Sequence, residues 1–587
     1  MNEEIVVASI SSHTLGSASY GCIEALFWFT KPTPPDGASP FQRHRSGSDG
    51  ATGFSIARPQ AQPRTEIERT KPLQSHTEVE ESNGCRESPL IGSTAVLGSL
   101  FVQTVFWRAI AYLSWALVSL LTIRMFDSVE LFGLISAALL VLGSLPALDG
   151  GFRNTLNRRI LGRARDEETF RMLQFGQRLY SWFCAAVAVL GTIILCAYSL
   201  TPNARSLHLP WAFYPLLGAV SGVVALGSAF LQLLTGLGQQ RRMFMLQLCM
   251  AWASIGILWI GFRAGLGIWS FVLSQSLPSL AAMALAAPAI RAEAPGLRLL
   301  DFAWSREDSD RLKELWPESS GLMRFQFWTL LVYTFDAMLV AWLCQGKLVG
   351  QYLLVANLFS KLRLLLQSAD DAVWPILAAK TDKAETIAEG VLRFNGWLWG
   401  GAMAVSALCI PAFITDYKAQ DFSGGAVLTS LFALRYLIMG IASQPGYWMF
   451  SHGHMDLLAR LMRRELVCCL TFSVPLGLWL GPMGVVIAFI AGSSGSTLLP
   501  LHLEFARASG RSPWAMLRAS WSRAVLSAGL AAGLSVWGLR HGGGDWRLTV
   551  IIAGLCLAAT LGVALGAALL RARRAGVTGR AQLGRFL

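Results

Sequence analysis

Charge is scarce in this sequence. Only 14% of its 587 residues are Asp, Glu, Lys or Arg, against roughly 25% in soluble domains, and that excludes an ordinary water-soluble fold. No GxxxxGK[ST] segment is present to cradle nucleotide phosphates, which argues against a nucleotide-driven pump. Ten cysteines are scattered through apolar stretches without CxxC or Cys/His spacing, Cys468 and Cys469 included, so they read as small packing residues. Histidine is also sparse, at eight. None falls in the middle of a predicted helix, and the loops on one side of the array are short. A membrane enzyme that modifies glycans needs a positioned base or nucleophile, so both absences weigh against one.

Apolar residues supply what charge does not, at 53% of the chain. Runs such as WFCAAVAVLGTIILCAYSL (182–200) and LTVIIAGLCLAATLGVALGAALL (548–570) reach the ~18 to 20 residues that a bilayer crossing needs. Their Leu/Ala/Gly/Ser texture lacks the alternation of a membrane barrel, so the segments are predicted to be helices. About fourteen are expected, near 99–122, 129–148, 179–200, 211–235, 243–262, 267–290, 321–344, 348–377, 394–414, 424–450, 464–480, 483–503, 521–539 and 548–570.

Basic residues set the orientation. One set of loops, with the tail after 570, holds about 29 Lys and Arg; the opposite set holds about 7. Both termini are therefore expected in the cytoplasm. The +13 net charge reads as this topology signal together with contact to anionic lipid headgroups. A run such as FRNTLNRRILGRARDEE (152–168) has no aromatic interleaving, and no nucleic-acid partner is expected. Residues 1–95 differ from the rest: KPTPPDGASP (31–40) and TEVEESNGCRESP (77–89) are too polar to close a core and are expected to be disordered. Two readings of this segment stand side by side, a genuine cytosolic tail and a start codon assigned too far upstream.

The array looks duplicated. FWRAIAYLSWALVSLLTIRMFDSVELFGLISAALLV (106–141) and FWTLLVYTFDAMLVAWLCQGKLVGQYLLVANLF (327–359) both open on Phe-Trp, cross once, turn at a glycine (Gly133 or Gly350) and return on a small-residue helix. Their return helices lead to the Asp-bearing exits LDGGFRNTL (148–156) and ADDAVWPIL (369–377). Six spans per half makes the repeats parallel, with a cleft between them and alternating access by rocking. The expected organisation is a six-helix bundle over 96–290, a cytoplasmic linker over 291–320, a second bundle over 321–503, and two further helices with a basic tail over 504–587.

The segments TIRMFDSVELFGLISAALLVLGSLPALDGGFRNTLNRRILG (122–162) and FDAMLVAWLCQGKLVGQYLLVANLFSKLRLLLQSADDAVWPILA (335–378) carry a family likeness. The first resembles the opening hairpin of Wzx-type O-antigen and exopolysaccharide flippases of the MOP superfamily. The second is similar to that family's seventh and eighth helices, with an Asp in helix seven, a Gly-x-Tyr turn and a Pro near the end of helix eight. Two predicted helices lie beyond the family's usual twelve; the related lipid II flippases carry fourteen. The resemblance implies an all-α polytopic, MOP/MATE-like protein of the bacterial inner membrane. It would move an undecaprenyl-diphosphate-linked oligosaccharide to the periplasmic leaflet, with no covalent chemistry and no cofactor. Membrane lipids and polysaccharide biosynthesis proteins are the partners so implied, and a monomer is expected.

Such a passenger needs cations for its diphosphate. Intramembrane charge costs about 2.5 to 3.5 kcal/mol at a helix centre and faces a cavity or a partner. The candidates are Arg435, Lys361, Arg363, Arg108 and Arg324; the last two lie near helix ends and have snorkelling to the headgroups as an equal reading. Asp336, alone in the apolar run VYTFDAMLVAW, has two readings, partner of a buried arginine or coupling-ion site. Asp370 and Asp371 read as interfacial. His452 and His454, two apart, are poor metal-ligand geometry on a helix, and no metal is expected. The alternatives within reach of the same residues are a cation-coupled small-molecule exporter and a glycan-modifying membrane enzyme.

Overall fold

The computed structural model describes residues 128–541 and 546–551, apart from 146–148, 150, 161–166, 201, 206–207, 238, 294–296, 299, 379–383, 419–421 and 511, with isolated positions at 110–126 and 554–555. Every regular element among them is helical, as the lack of strand alternation requires. Apart from the single turn Pro202–Arg205, in chain order these are α1 (Val129–Ser144), α2 (Phe152–Ile160), α3 (Glu167–Ser199), α4 (Phe213–Gly236), α5 (Gln240–Arg263), α6 (Trp269–Glu293) and α7 (Arg306–Leu343). They continue with α8 (Gly346–Ala378), α9 (Ala384–Tyr417), α10 (Gly425–Ser451), α11 (Met455–Leu480), α12 and α13 (Pro513–His541). Helix α12 runs as Pro482–Ser493, passes through a π turn at Ser494–Leu498 and resumes as Leu499–Ala508.

Among the described residues, nine helices are long and apolar enough to cross a membrane. The expected spans near 99–122 and 548–570 lie largely outside the described residues, as does the segment 1–95. Several helices run past the predicted spans at the basic end: α3 begins at Glu167 and not near 179, α7 at Arg306 and not at 321, and α11 at Met455 and not at 464. Hydropathy registers only the lipid-immersed turns, whereas backbone hydrogen bonding continues wherever a charged stretch can be capped. Ser305 caps α7 in this way. Its hydroxyl accepts from the Asp308 amide at 3.1 Å, and the Asp308 carboxylate accepts from the Ser305 amide at 2.8 Å, a reciprocal box that satisfies two otherwise orphan donors.

Helix α7 has 38 residues, roughly 57 Å at 1.5 Å per residue, and ties the two halves of the chain together. Its first turns pack on the first half: Leu315 joins the core of α2 to α6, and Arg159 of α2 pairs with Glu314 and Glu318. Arg178 of α3 reaches Asp301 at 2.9 Å and Asp308 at 3.0 Å. Past Pro317 the helix turns to the second half, with Leu322, Leu339 and Val340 in the larger core.

Helix α13 docks along α9 through small residues. A Cβ at Gly400 would lie 2.3 Å from the Ala524 carbonyl oxygen, and one at Gly396 would lie 2.5 Å from that of Ser520. Lipid gives no hydrophobic incentive for two helices to associate, so backbone approach of this kind carries the packing. The Ser527 hydroxyl adds a 2.7 Å bond to the Trp397 carbonyl. Gly400→Leu is expected to destabilise the protein by about 1 to 3 kcal/mol, the cost of overpacking. Faster proteolysis between α13 and residue 546 in detergent would register it; an unchanged digestion profile would mean that α13 is held elsewhere.

Candidate functional site

The charges that the sequence places inside the second half come together on four helices. Asp336 of α7 and Arg435 of α10 are both buried, at 4% and 2% exposure. Arg435 Nη1 donates to Asp336 Oδ2, and the Tyr352 hydroxyl of α8 donates to the same oxygen at 2.6 Å. The guanidinium carbon stands 4.6 Å over the Phe489 ring of α12, a cation–π contact that is stronger when desolvated. Phe432 and Phe359 wall the Tyr352 side, their rings 6.1 Å apart. Asp336 therefore has a cation, a phenol and no solvent.

Beside this pair lies a cavity of about 180 Å³ lined mainly by α7, α8, α10, α11 and α12, with Leu140 of α1 and Trp399 of α9. Arg363 of α8 enters it with its guanidinium 4.4 Å from the centre of the Tyr333 ring. Farther along, Gln367 donates to the Tyr447 hydroxyl at 2.7 Å. A planar cation on an aromatic face, flanked by an amide and a phenol, is a surface suited to anionic and hydroxylated groups.

Glu465 of α11 completes the wall and has no counterpart among the sequence candidates. It is 3% exposed and accepts hydrogen bonds from the hydroxyls of Ser493 and Thr497 on α12. The π turn begins directly after Ser493 and contains Thr497. Such turns insert an extra residue into the helical repeat and are frequent at functional sites. The span predicted from 464 put Glu465 at a helix end, beside Arg463 and Arg464, where a carboxylate reads as interfacial. Because α11 begins at Met455, Glu465 lies three turns in. Its stripe with Leu458, Leu461 and Cys469 is the periodic signal that could have found it. His502 is a similar case. It is fully buried in the extension of α12 to Ala508, with Nδ1 2.9 Å from the Leu498 carbonyl, so one histidine does sit inside a helix.

Lys361 is different from the other cations. It lies on α8 at 6% exposure and has no ion-pair partner among the described residues. It stands two positions before Arg363, so the two side chains leave the helix about 200° apart. Only Arg363 lines the cavity.

The remaining candidates stand elsewhere. Arg324 is on the outside of α7, its side chain 60% exposed, 3.0 Å from the still more exposed Asp456. It borders a separate cavity of about 460 Å³ at the basic end. Arg108 lies outside the described residues, as do the side chains of Asp370 and Asp371. His452 stacks on Trp448 with ring centres 3.9 Å apart, its Nδ1 2.9 Å from the Trp448 carbonyl.

No known protein family matches the sequence, and no curated protein matches it. Solved structures do. The lipid II flippase MurJ in an inward closed conformation aligns with a TM-score of 0.54 at 14% identity, over 80% of this chain and 100% of that one. The Vibrio cholerae MATE transporter VcmN in its bent form aligns at 0.44 and 14% identity, over 75% and 99%. An inward-facing multidrug resistance MATE family transporter of the MOP superfamily aligns at 0.45 and 16%, over 70% and 96%. The first of these establishes the fold: an all-helical polytopic membrane protein built like MurJ.

Proposed function

We propose that this protein carries a lipid-linked oligosaccharide, joined to its lipid through a diphosphate, across the bacterial plasma membrane toward the outer leaflet. Lys361 is the observation that carries the reading. An ammonium buried in a membrane helix with no partner among the described residues costs about 2.5 to 3.5 kcal/mol on insertion scales. An anionic passenger supplies the missing counter-charge. On the opposite side of α8, Arg363 lines the cavity, where the tyrosines and amide around it suit the hydroxyls and ring faces of a sugar. A fold shared with a lipid II flippase supports a passenger of this class.

No bond is made or broken in this scheme. The lipid tail stays in the bilayer while the polar part crosses between the two halves of the chain, which alternate in exposing it to each side. In proteoliposomes loaded with a lipid-linked oligosaccharide, the protein is expected to bring the glycan within reach of an impermeant glycan-cleaving enzyme on the far side. A glycan that stays put while a small cationic dye leaves the vesicles would replace this reading with export.

Glu465 favours that second reading, a cation-coupled exporter, and bears equally on how a flippase would be driven. Asp336 is already matched by Arg435, which leaves Glu465, whose carboxylate accepts from two hydroxyls, as the acid lining the cavity and able to exchange a proton or cation. Glu465→Gln removes the charge and keeps an acceptor for one hydroxyl, while its amide NH2 donates to the oxygen of the other. The variant is expected to transport without responding to an imposed pH gradient. An unaltered response in the vesicle assay would show that coupling lies at another group.

A further inference from the structure

The two turn glycines of the repeat meet. Gly133 opens α1 in the first half, Gly350 opens α8 in the second, and a Cβ built at Gly133 would lie 2.7 Å from the Gly350 nitrogen and 2.8 Å from its Cα. A Cβ at Gly350 would fall 2.1 Å from the Val129 carbonyl oxygen. Neither position has room for a side chain, so the helices touch backbone to backbone. One turn before Gly350, a Cβ at Gly346 would stand 3.1 Å from Glu130 Cγ. Ser128 donates to the Glu130 carboxylate at 2.7 Å and steadies it.

This end of the molecule is the one away from the basic loops, the outer face on the topology set by the arginines. Two more contacts join the halves there. Lys418, just after α9, donates to the Arg124 carbonyl at 3.3 Å, and the Arg124 guanidinium lies 6.0 Å over the Tyr417 ring. The basic end differs. There Thr155 of α2, Arg324 of α7 and Asp456 and Arg460 of α11 border the cavity of about 460 Å³, and the halves meet beside it through side chains, with the Ser319 hydroxyl of α7 donating to the Thr155 hydroxyl at 3.0 Å.

On the transport reading given above, we propose that the Gly133–Gly350 crossing is the outer gate of the translocation path, closed in this structure and separated when the passenger leaves. Two features support this. The residues in contact are equivalent positions of the two repeats, so they lie at the axis relating the halves, where rocking opens one end as it closes the other. At the two glycines the contact is backbone on backbone, the kind of small-residue approach that holds helices together in lipid, and Val129, Phe132, Val349 and Tyr352 are buried around it, so parting the crossing uncovers their apolar surface. Lys361 lies eleven residues below Gly350, about 16 Å and almost exactly three turns along α8, so the crossing sits above the unpaired ammonium on the same side of the helix.

The test uses the full-length chain with its ten cysteines replaced. Glu130 Cβ and a Cβ at Gly346 would be 3.3 Å apart, close to the ~3.5 to 4.5 Å of a disulfide. Glu130→Cys with Gly346→Cys is therefore expected to cross-link in membranes under mild oxidant. Glycan transfer should then stop and return on reduction. A second readout needs no passenger: Asn357→Cys, between the crossing and Lys361, should resist an impermeant maleimide added outside when the cross-link is present. Adding Gly350→Leu to the Asn357→Cys chain, with no cross-link, should make it react. Failure to cross-link, normal transfer by the cross-linked protein, or labelling of Asn357→Cys that is equal in the cross-linked and Gly350→Leu forms would each overturn the gate. If the labelling behaves as expected while no glycan moves in the uncross-linked protein, the gate stands and the choice of passenger is wrong.

Discussion

Arg435→Ala is expected to destabilise the protein by about 3 to 5 kcal/mol, the cost of removing one member of a buried ion pair. The cost comes from what remains. Asp336, 4% exposed on α7, would keep only the Tyr352 hydroxyl and no water to replace the guanidinium. In detergent this should appear as a drop of several degrees in the apparent midpoint of tryptophan-monitored unfolding. Removing the carboxylate charge as well, with Asp336→Asn in the Arg435→Ala background, should recover most of the loss, since the uncompensated charge is then gone. Asp336→Asn alone leaves the arginine unpaired and should resemble Arg435→Ala. If Arg435→Ala instead unfolds like the parent but no longer moves glycan, the arginine acts on the passenger and its bond to Asp336 is secondary.

Lys361→Met should behave in the opposite way. With no ion-pair partner for the ammonium among the described residues, the substitution removes a buried charge and leaves no orphan behind. Unfolding should therefore occur at the parental temperature or above it. Glycan transfer should fall roughly thirtyfold or more, as expected when a buried charge contact worth about 2 to 5 kcal/mol is lost. Stability gained with transport lost is the pattern of a functional group that the fold tolerates at a cost. Parental transfer by Lys361→Met would remove the observation on which the proposed passenger rests.

These two lysine and arginine experiments separate residues that look alike in the sequence. Arg435, Lys361 and Arg363 all appear as cations deep in apolar helices, and hydropathy gives no ground for assigning them different tasks. Their differences come from neighbours distant in the chain. Asp336 is 99 residues from Arg435, and the Phe489 ring that faces the same guanidinium comes from a third helix.

The helices themselves were legible because lipid enforces them: an apolar backbone in a bilayer must bond to itself, so composition and length suffice. Their lengths were less so. Charged turns beyond the bilayer core of α7 and α11 carry no hydropathy signal, although the Ser305–Asp308 cap was present in the sequence to be read. That error concealed Glu465, which a helix beginning at Met455 moves from an interface to the interior.

By itself, the sequence determined that this is a helical membrane protein, which loops face the basic side, and which residues bring charge into the apolar interior. Each of those follows from the cost of placing a group in lipid, a property of the residue and its immediate neighbours. Tertiary structure decided which acid neutralises which base, that Glu465 shares a cavity with Arg363, and that Gly133 and Gly350 touch. Periodicity tells which face of its own helix a side chain occupies and nothing of what the next helix brings to that face; only packing supplies the partner.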